Sequence, residues 1–176
     1  MLALLLAALG GCHMPAGAES DRQGAALVGA GPQLHGTLGF PDVRPGQRYR
    51  FSYPLLKNRS KEAVEFTGLR LLHVPAGVKV LGYNVYSDLG TDGFLLSGRE
   101  PGSRASGDPD FSSFHDYYKK RYSIKPGVLS DKYGSVLLEV TGRVRHHLTG
   151  CRVEYKQQGV AYHQDFHCEF ALDSAE

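Results

Sequence analysis

The chain has 176 residues, is 41% hydrophobic and 22% charged, and carries a formal net charge of +2. That length fits one domain able to bury a core of its own. The near-neutral charge argues against a nucleic-acid binder working by counterion release, and ten tyrosines argue against a largely disordered chain. Three cysteines leave one over after pairing.

Leu2 to Leu9 is an unbroken apolar run. It is far shorter than the ~20 residues of a membrane-spanning helix and fits the apolar core of a signal peptide. Leu9-Gly10-Gly11-Cys12 follows directly and resembles the lipobox of bacterial lipoproteins, where small residues precede a cysteine that is lipidated and becomes the mature amino terminus. The reading is therefore a signal peptide over 1–11, with Cys12 as the lipidation site. A flexible tether rich in Ala and Gly follows over 12–32. No Lys or Arg lies between Met1 and Cys12, although signal peptides carry a positive first segment, so the reading allows a start further upstream.

From residue 33 to 173 the pattern is strands and turns. Tyr49, Phe51, Tyr53 and Leu55 alternate with Arg48, Arg50 and Ser52, and Lys57 to Lys61 reads as a polar turn. Val64 and Phe66 point one way and Leu69 and Leu71 the other, which predicts a β-bulge at Thr67-Gly68. Pro75-Ala76-Gly77 is the next turn. Val78, Val80, Tyr83 and Val85 then change phase around Leu81-Gly82. Further strands are expected at Phe94–Leu96, Tyr122–Lys125, Val136–Thr141 and Arg143–Leu148. No window carries a helical stripe of ten or more residues. The fold class is all-β, an immunoglobulin-like antiparallel β-sandwich of about eight strands. The absence of tryptophan and the late position of the paired cysteines set it apart from antibody domains.

The least regular stretch is Ser97 to Lys120. It turns aromatic at Phe111, Phe114, His115, Tyr117 and Tyr118, ahead of Lys119-Lys120-Arg121. Loops this long are uncommon unless they are functional or disordered. These five residues are the candidate binding loop; the competing reading is a lid that only covers one end of the sandwich. The basic residues 119–121, with Arg143 and Arg145, read as an anion-attracting patch or as a solvated strand face.

Cys151, Val153 and Tyr155 alternate with polar residues, as do Phe166, Cys168, Phe170 and Leu172, on either side of Gln157-Gln158-Gly159. That predicts a β-hairpin with one buried face. Two registers fit. A turn centred on Gln158-Gly159 pairs Arg152 with Asp165 and Glu154 with His163. A turn centred on Gly159-Val160 sets Cys151 directly opposite Cys168. Cross-strand charge pairs contribute only about 0.2–1 kcal/mol each, against about 3 kcal/mol for a disulfide closing this loop. The second register is therefore favoured, with a Cys151–Cys168 disulfide as in exported proteins.

Tyr53-Pro54-Leu55-Leu56-Lys57-Asn58, the turn Val74-Pro75-Ala76-Gly77-Val78, and Gly150-Cys151-Arg152-Val153-Glu154-Tyr155 ending at Cys168 resemble an uncharacterised family of secreted or lipid-anchored proteins of actinobacteria. The resemblance spans roughly Gln33 to Leu172. It implies an immunoglobulin-like sandwich and an extracytoplasmic location, and it carries no functional residues.

Phosphate-binding loops, a dinucleotide fingerprint, a His-Glu-x-x-His helix and a Gly-x-Ser-x-Gly elbow are absent. His163, Asp165, His167 and Glu169 project from one polar strand face. His163 and His167 lie about 13 Å apart on such a strand and cannot share one ion; a site would need one of them with His146 or His147. Two methionines argue against copper handling beside His13-Met14. The carboxylates Asp88, Asp92, Asp108, Asp110 and Asp116 fall in predicted loops.

The expectation is a lipid-anchored binding or structural module on the outer face of the cell membrane. Its partners are the membrane and a cell-envelope protein or polymer, with no nucleic acid, cofactor or metal. The alternative is an extracytoplasmic metal-dependent or hydrolytic enzyme using those loop carboxylates and histidines.

Overall fold

The computed structural model describes residues 22–30, 36–92, 97–100, 107 and 109–174. Cys12, with the expected signal peptide, lies outside them, as do Asp108 and the strand expected at 94–96. Eleven strands follow in chain order: β1 Leu27–Ala30, β2 Thr37–Val43, β3 Arg48–Ser52, β4 Leu55–Asn58, β5 Val64–His73, β6 Val78–Ser87, β7 Gly98–Glu100, β8 Ser123–Ile124, β9 Lys132–Val140, β10 Leu148–Gln157 and β11 Val160–Ser174. They form a five-stranded sheet in the order β2-β11-β10-β5-β8, a four-stranded sheet β6-β9-β3-β7, and a small β1-β4 pair. No described helix is long and apolar enough to cross a membrane.

Period-two alternation gives each large sheet one apolar face, and the two faces pack together as a sandwich. Tyr49 and Phe51 of β3, with Val136, Leu138 and Val140 of β9, meet Leu69, Leu71, Val153, Phe170 and Leu172 of the other sheet. The Phe51 and Phe170 rings stack with centroids 4.8 Å apart. The Tyr83 hydroxyl accepts the Leu71 amide at 2.9 Å, so a polar tip is satisfied within the interface. Gly134 admits Leu69: a Cβ there would stand 2.3 Å from Leu69 Cδ1.

Both predicted phase changes are present. Thr67 is the extra residue where Gly68 faces Glu154 and Phe66 faces Tyr155. Leu81 is the extra residue where Val80 faces Leu138 and Gly82 faces Leu137.

Several expectations are corrected. The strand count is eleven rather than about eight, and the sandwich is not wholly antiparallel, because β2 runs parallel to β11. The alternating run through Leu55 is two strands in different sheets, broken at Tyr53-Pro54, where proline has no amide to donate. Lys57 and Asn58 end β4 instead of opening a turn. Asn58 is buried because its side-chain amide donates to the Glu62 and Ile124 carbonyls and its oxygen accepts from Ser60. Residues 143–147 are irregular, and the strand starts at Leu148. The stretch expected as tether over 12–32 is folded in its described part, since β1 pairs with β4 and Leu27 is buried.

The hairpin also takes the register that was not favoured. Cys151 faces Phe166, Arg152 faces Asp165 and Glu154 faces His163. Gln158 and Gly159 both have positive φ, 49° and 78°. A two-residue turn with both residues left-handed matches the twist of the flanking strands. The Cys151–Cys168 disulfide nevertheless forms, with Cα atoms 5.7 Å apart. Thr149 faces Glu169, so Gly150 alone stands opposite His167 and Cys168. This bulge draws Cys168 up beside Cys151.

The sandwich has two distinct ends. The hairpin tip, Arg22 to Gly24 and Arg121 lie at one. His163 donates its amide to the Arg22 carbonyl, Lys156 faces Glu65, and Arg121 pairs with Glu65 at 3.2 Å. The turns at 44–47, 75–77 and 141–144 meet at the other. Gly46 donates to Val140, Thr141 donates to Gly77, and Val144 donates to the Ser174 hydroxyl.

Candidate functional site

Alternation turns Arg50, Ser52, Asn84, Tyr86, Tyr133 and Ser135 onto the outer face of the four-stranded sheet, away from Phe51 and Val85. An outer face so placed would ordinarily be solvated. Here it is buried: Arg50 is 5% exposed, Ser52 and Ser135 are fully covered, and Tyr86 and Tyr133 are 2% and 1% exposed. Ser97 bonds Ser52 and Thr91 meets the Tyr133 hydroxyl; over Arg50 and Tyr86 the cover is the aromatic segment.

Asp110 starts that segment by accepting the Ser112 amide and hydroxyl, which caps a 3-10 turn at Phe111–Ser113. The turn drops Phe111 onto Tyr86, with ring centroids 6.0 Å apart, and Phe114 packs against both at 6.1 and 6.2 Å. The Arg50 guanidinium carbon lies 5.0 Å from the Phe111 centroid and 5.7 Å from that of Tyr86. Its Nε donates to Glu100 at 2.5 Å, and its Nη1 donates to the Asn84 oxygen. Asn84 passes the connection on, its amide donating to Asp116 Oδ2 at 2.6 Å. Asp116 Oδ1 accepts the amides of Val85 (2.9 Å) and Tyr118 (2.8 Å), and the Tyr117 amide donates to the Val85 carbonyl at 2.7 Å. The segment thus closes the exposed edge of β6. Burial pushes the Tyr86 phenol up to about 12, so it stays protonated at neutral pH and supplies no base.

The five aromatic candidates are therefore not one recognition loop. Phe111 is buried beneath the segment. Tyr118 turns toward the core, where it packs on Tyr83 and Phe66. Phe114, His115 and Tyr117 face a small hollow of about 40 Å³ that they line with Tyr86, Ser87, Gly90 and Thr91. His115 and Tyr117 meet edge to face at 4.5 Å, and the Lys132 ammonium lies over the Tyr117 ring at 5.3 Å. Covering accounts for Phe111 and Tyr118; the other three border open space.

The opposite end carries two larger, shallower hollows. One, of about 260 Å³, is lined by Val43, Arg44, Pro45, Gly142, Arg143 and Ser174. The other, of about 370 Å³, is lined by Leu72, His73, Val74, Pro75, His146 and His147. His147 is clipped between two carboxylates: its Nδ1 donates to Glu169 at 2.5 Å, and its Nε2 lies 3.5 Å from Asp173. The Glu169 hydrogen bond is the main reason its pKa lies above the ordinary 6.5. The carboxylates sit on opposite ring nitrogens and cannot converge on one ion. Among the described residues no group of three or more His, Cys, Asp or Glu side chains is placed to hold a metal. Arg143 and Arg121 are at opposite ends of the sandwich, so the basic residues grouped in the sequence do not form one patch.

Of the described loop carboxylates, Asp88 and Asp110 accept amides of their own turns, Asp116 holds β6, and Asp92 is the left-handed residue that ends the 3-10 turn at Leu89–Thr91. Nothing in the local sequence pattern marks Arg50 or Arg44 as special. Alternation placed Arg50 on a solvated face, and only the aromatic cluster sixty residues later hinted that something covers it.

The fold and these sites define an all-β sandwich domain with a strapped outer face. No family model matches the chain, and no curated protein does. Among solved structures it is similar to the structure of the Vibrio cholerae VesB protease, at 12% identity and a TM-score of 0.33. The likeness covers 78% of this chain and spans 30% of the protease chain. At that distance no residue role transfers.

Proposed function

We propose that the protein is an extracytoplasmic β-sandwich held at the outer face of the cell membrane by a lipid on Cys12, where it serves as a binding or structural module of the envelope. The observation that carries this reading is the apolar run ending at Leu9-Gly10-Gly11-Cys12. The buried Cys151–Cys168 disulfide supports it, since such bonds persist outside reducing compartments. The immunoglobulin-like character implied by the family resemblance belongs to the same reading. Arg22 joins the sandwich at the hairpin-tip end. A chain anchored ahead of it would hold that end toward the bilayer and turn the 44–47 and 141–147 loops outward. Growth with radiolabelled palmitate tests the anchor. Label is expected on the wild-type protein and not on Cys12→Ala; no label, or equal label on both, overturns the reading.

A further inference from the structure

We propose that the hollow between Arg44 and Arg143 is a binding site for a phosphate group. Among the described residues neither guanidinium has an ion-pair or hydrogen-bond partner. Glu139 pairs with Arg48 and Asp173 approaches His147, so neither of these carboxylates is bound to Arg44 or Arg143. Two forked cations lining one hollow match a tetrahedral dianion, whose oxygens accept parallel N–H bonds; a single carboxylate would neutralise only one of them.

The frame beneath the arginines is rigid. The Arg44 amide donates to the Gln47 side chain at 2.8 Å, and its carbonyl accepts the Gln47 amide at 3.1 Å. The backbone of Arg143 is wedged against Gly77, where a Cβ would stand 2.5 Å from the Arg143 carbonyl oxygen and φ is +85°. The next amide, Val144, is held by the Ser174 hydroxyl at 3.0 Å. The arginine backbones are thus set before a ligand arrives, and only side-chain freedom remains to be lost. Val43 and Pro45 supply an apolar wall that weakens competition from water.

The site does not depend on the lipid anchor. The test is an amide NMR titration of the full chain with inorganic phosphate at constant ionic strength, with chloride as control. Saturable shifts are expected at Arg44, Gly142, Arg143 and Ser174, with affinity reduced at least tenfold in Arg44→Ala and in Arg143→Ala. Both side chains are exposed, so unchanged thermal midpoints should show that the variants fold. Shifts no larger than those from chloride, or wild-type affinity in the double variant, would overturn the proposal. A second arm separates the sources of phosphate. Phosphatidic acid vesicles, whose headgroup is a phosphate monoester, identify a lipid headgroup if they retain the wild type better than the double variant. Phosphate binding with equal vesicle retention identifies a free phosphate or a soluble phosphate monoester.

Discussion

Cys151 and Cys168 are covalently joined although they are not partners in the strand ladder: Cys151 faces Phe166, and the one-residue irregularity at Gly150 closes the gap to a Cα separation of 5.7 Å. Turn chemistry and disulfide geometry asked for different registers, and the bulge satisfies both. The loop spans a sequence separation of 17. Reduction, or paired Cys151→Ala and Cys168→Ala substitution, is expected to cost about 3 kcal/mol of unfolding free energy. Urea denaturation with and without reductant measures it. An unchanged midpoint would show that the hairpin does not use the bond.

Gly150 has φ +77°, and a Cβ would approach the Leu72 Cβ to 3.1 Å. Gly150→Ala is therefore expected to destabilise the fold by about 1–3 kcal/mol through backbone strain, with mass mapping showing whether the disulfide still forms.

Arg50 is the hub beneath the aromatic segment, its side chain 6% exposed against 19% for Glu100. Arg50→Ala leaves Glu100 without its partner in a largely covered site and should cost about 3–5 kcal/mol. Arg50→Met with Glu100→Gln removes both charges and keeps the volume, and should cost less. Thermal denaturation of the single and double variants checks the order; equal losses would mean that packing, not charge pairing, holds Arg50.

Asp116 fastens the segment to β6 through two donors, Asn84 and Val85, and accepts the Tyr118 amide within the segment. Asp116→Ala should expose the Val85 and Tyr118 amides, seen as faster hydrogen exchange over 110–120. Exchange in β10 should stay at wild-type rates, because the paired sheets do not depend on the strap.

His147 and Glu169 make stability depend on pH in a defined sense. The His147 pKa is raised above 6.5 chiefly by its hydrogen bond to Glu169, so its contribution is full below 6.5 and is lost as pH rises through the raised value. The Glu169 pKa is lowered below 4.5 chiefly by the same bond, so its contribution is full above 4.5 and is lost as pH falls through the lowered value. The pair contributes most between those two ordinary values. His147→Ala should flatten the decline of the thermal midpoint from pH 6 to 8; a decline of wild-type slope would assign it to other groups.

Local chemistry made some features legible and hid others. The bulge at Thr67 and the slip at Leu81 were readable because a phase change in alternation is a local signal. The hairpin register is hidden because a disulfide outweighs single ion pairs and no alternation pattern reveals a bulge that reconciles them. The aromatic loop divides into cover and open wall because Phe111 meets Tyr86 and Tyr118 meets Tyr83, both residues of β6 that the loop's own sequence does not reveal.

The sequence by itself determined the all-β class, the buried faces and the cysteine pair, since strand periodicity and side-chain chemistry are properties of neighbouring residues. Only the tertiary structure decided the order of strands and the parallel placement of β2. It also decided the burial of Arg50 and the meeting of Arg44 with Arg143, which come from turns about a hundred residues apart. The reason is physical. Which surface is covered, and which charge is left unpaired, depends on what the rest of the chain brings to it.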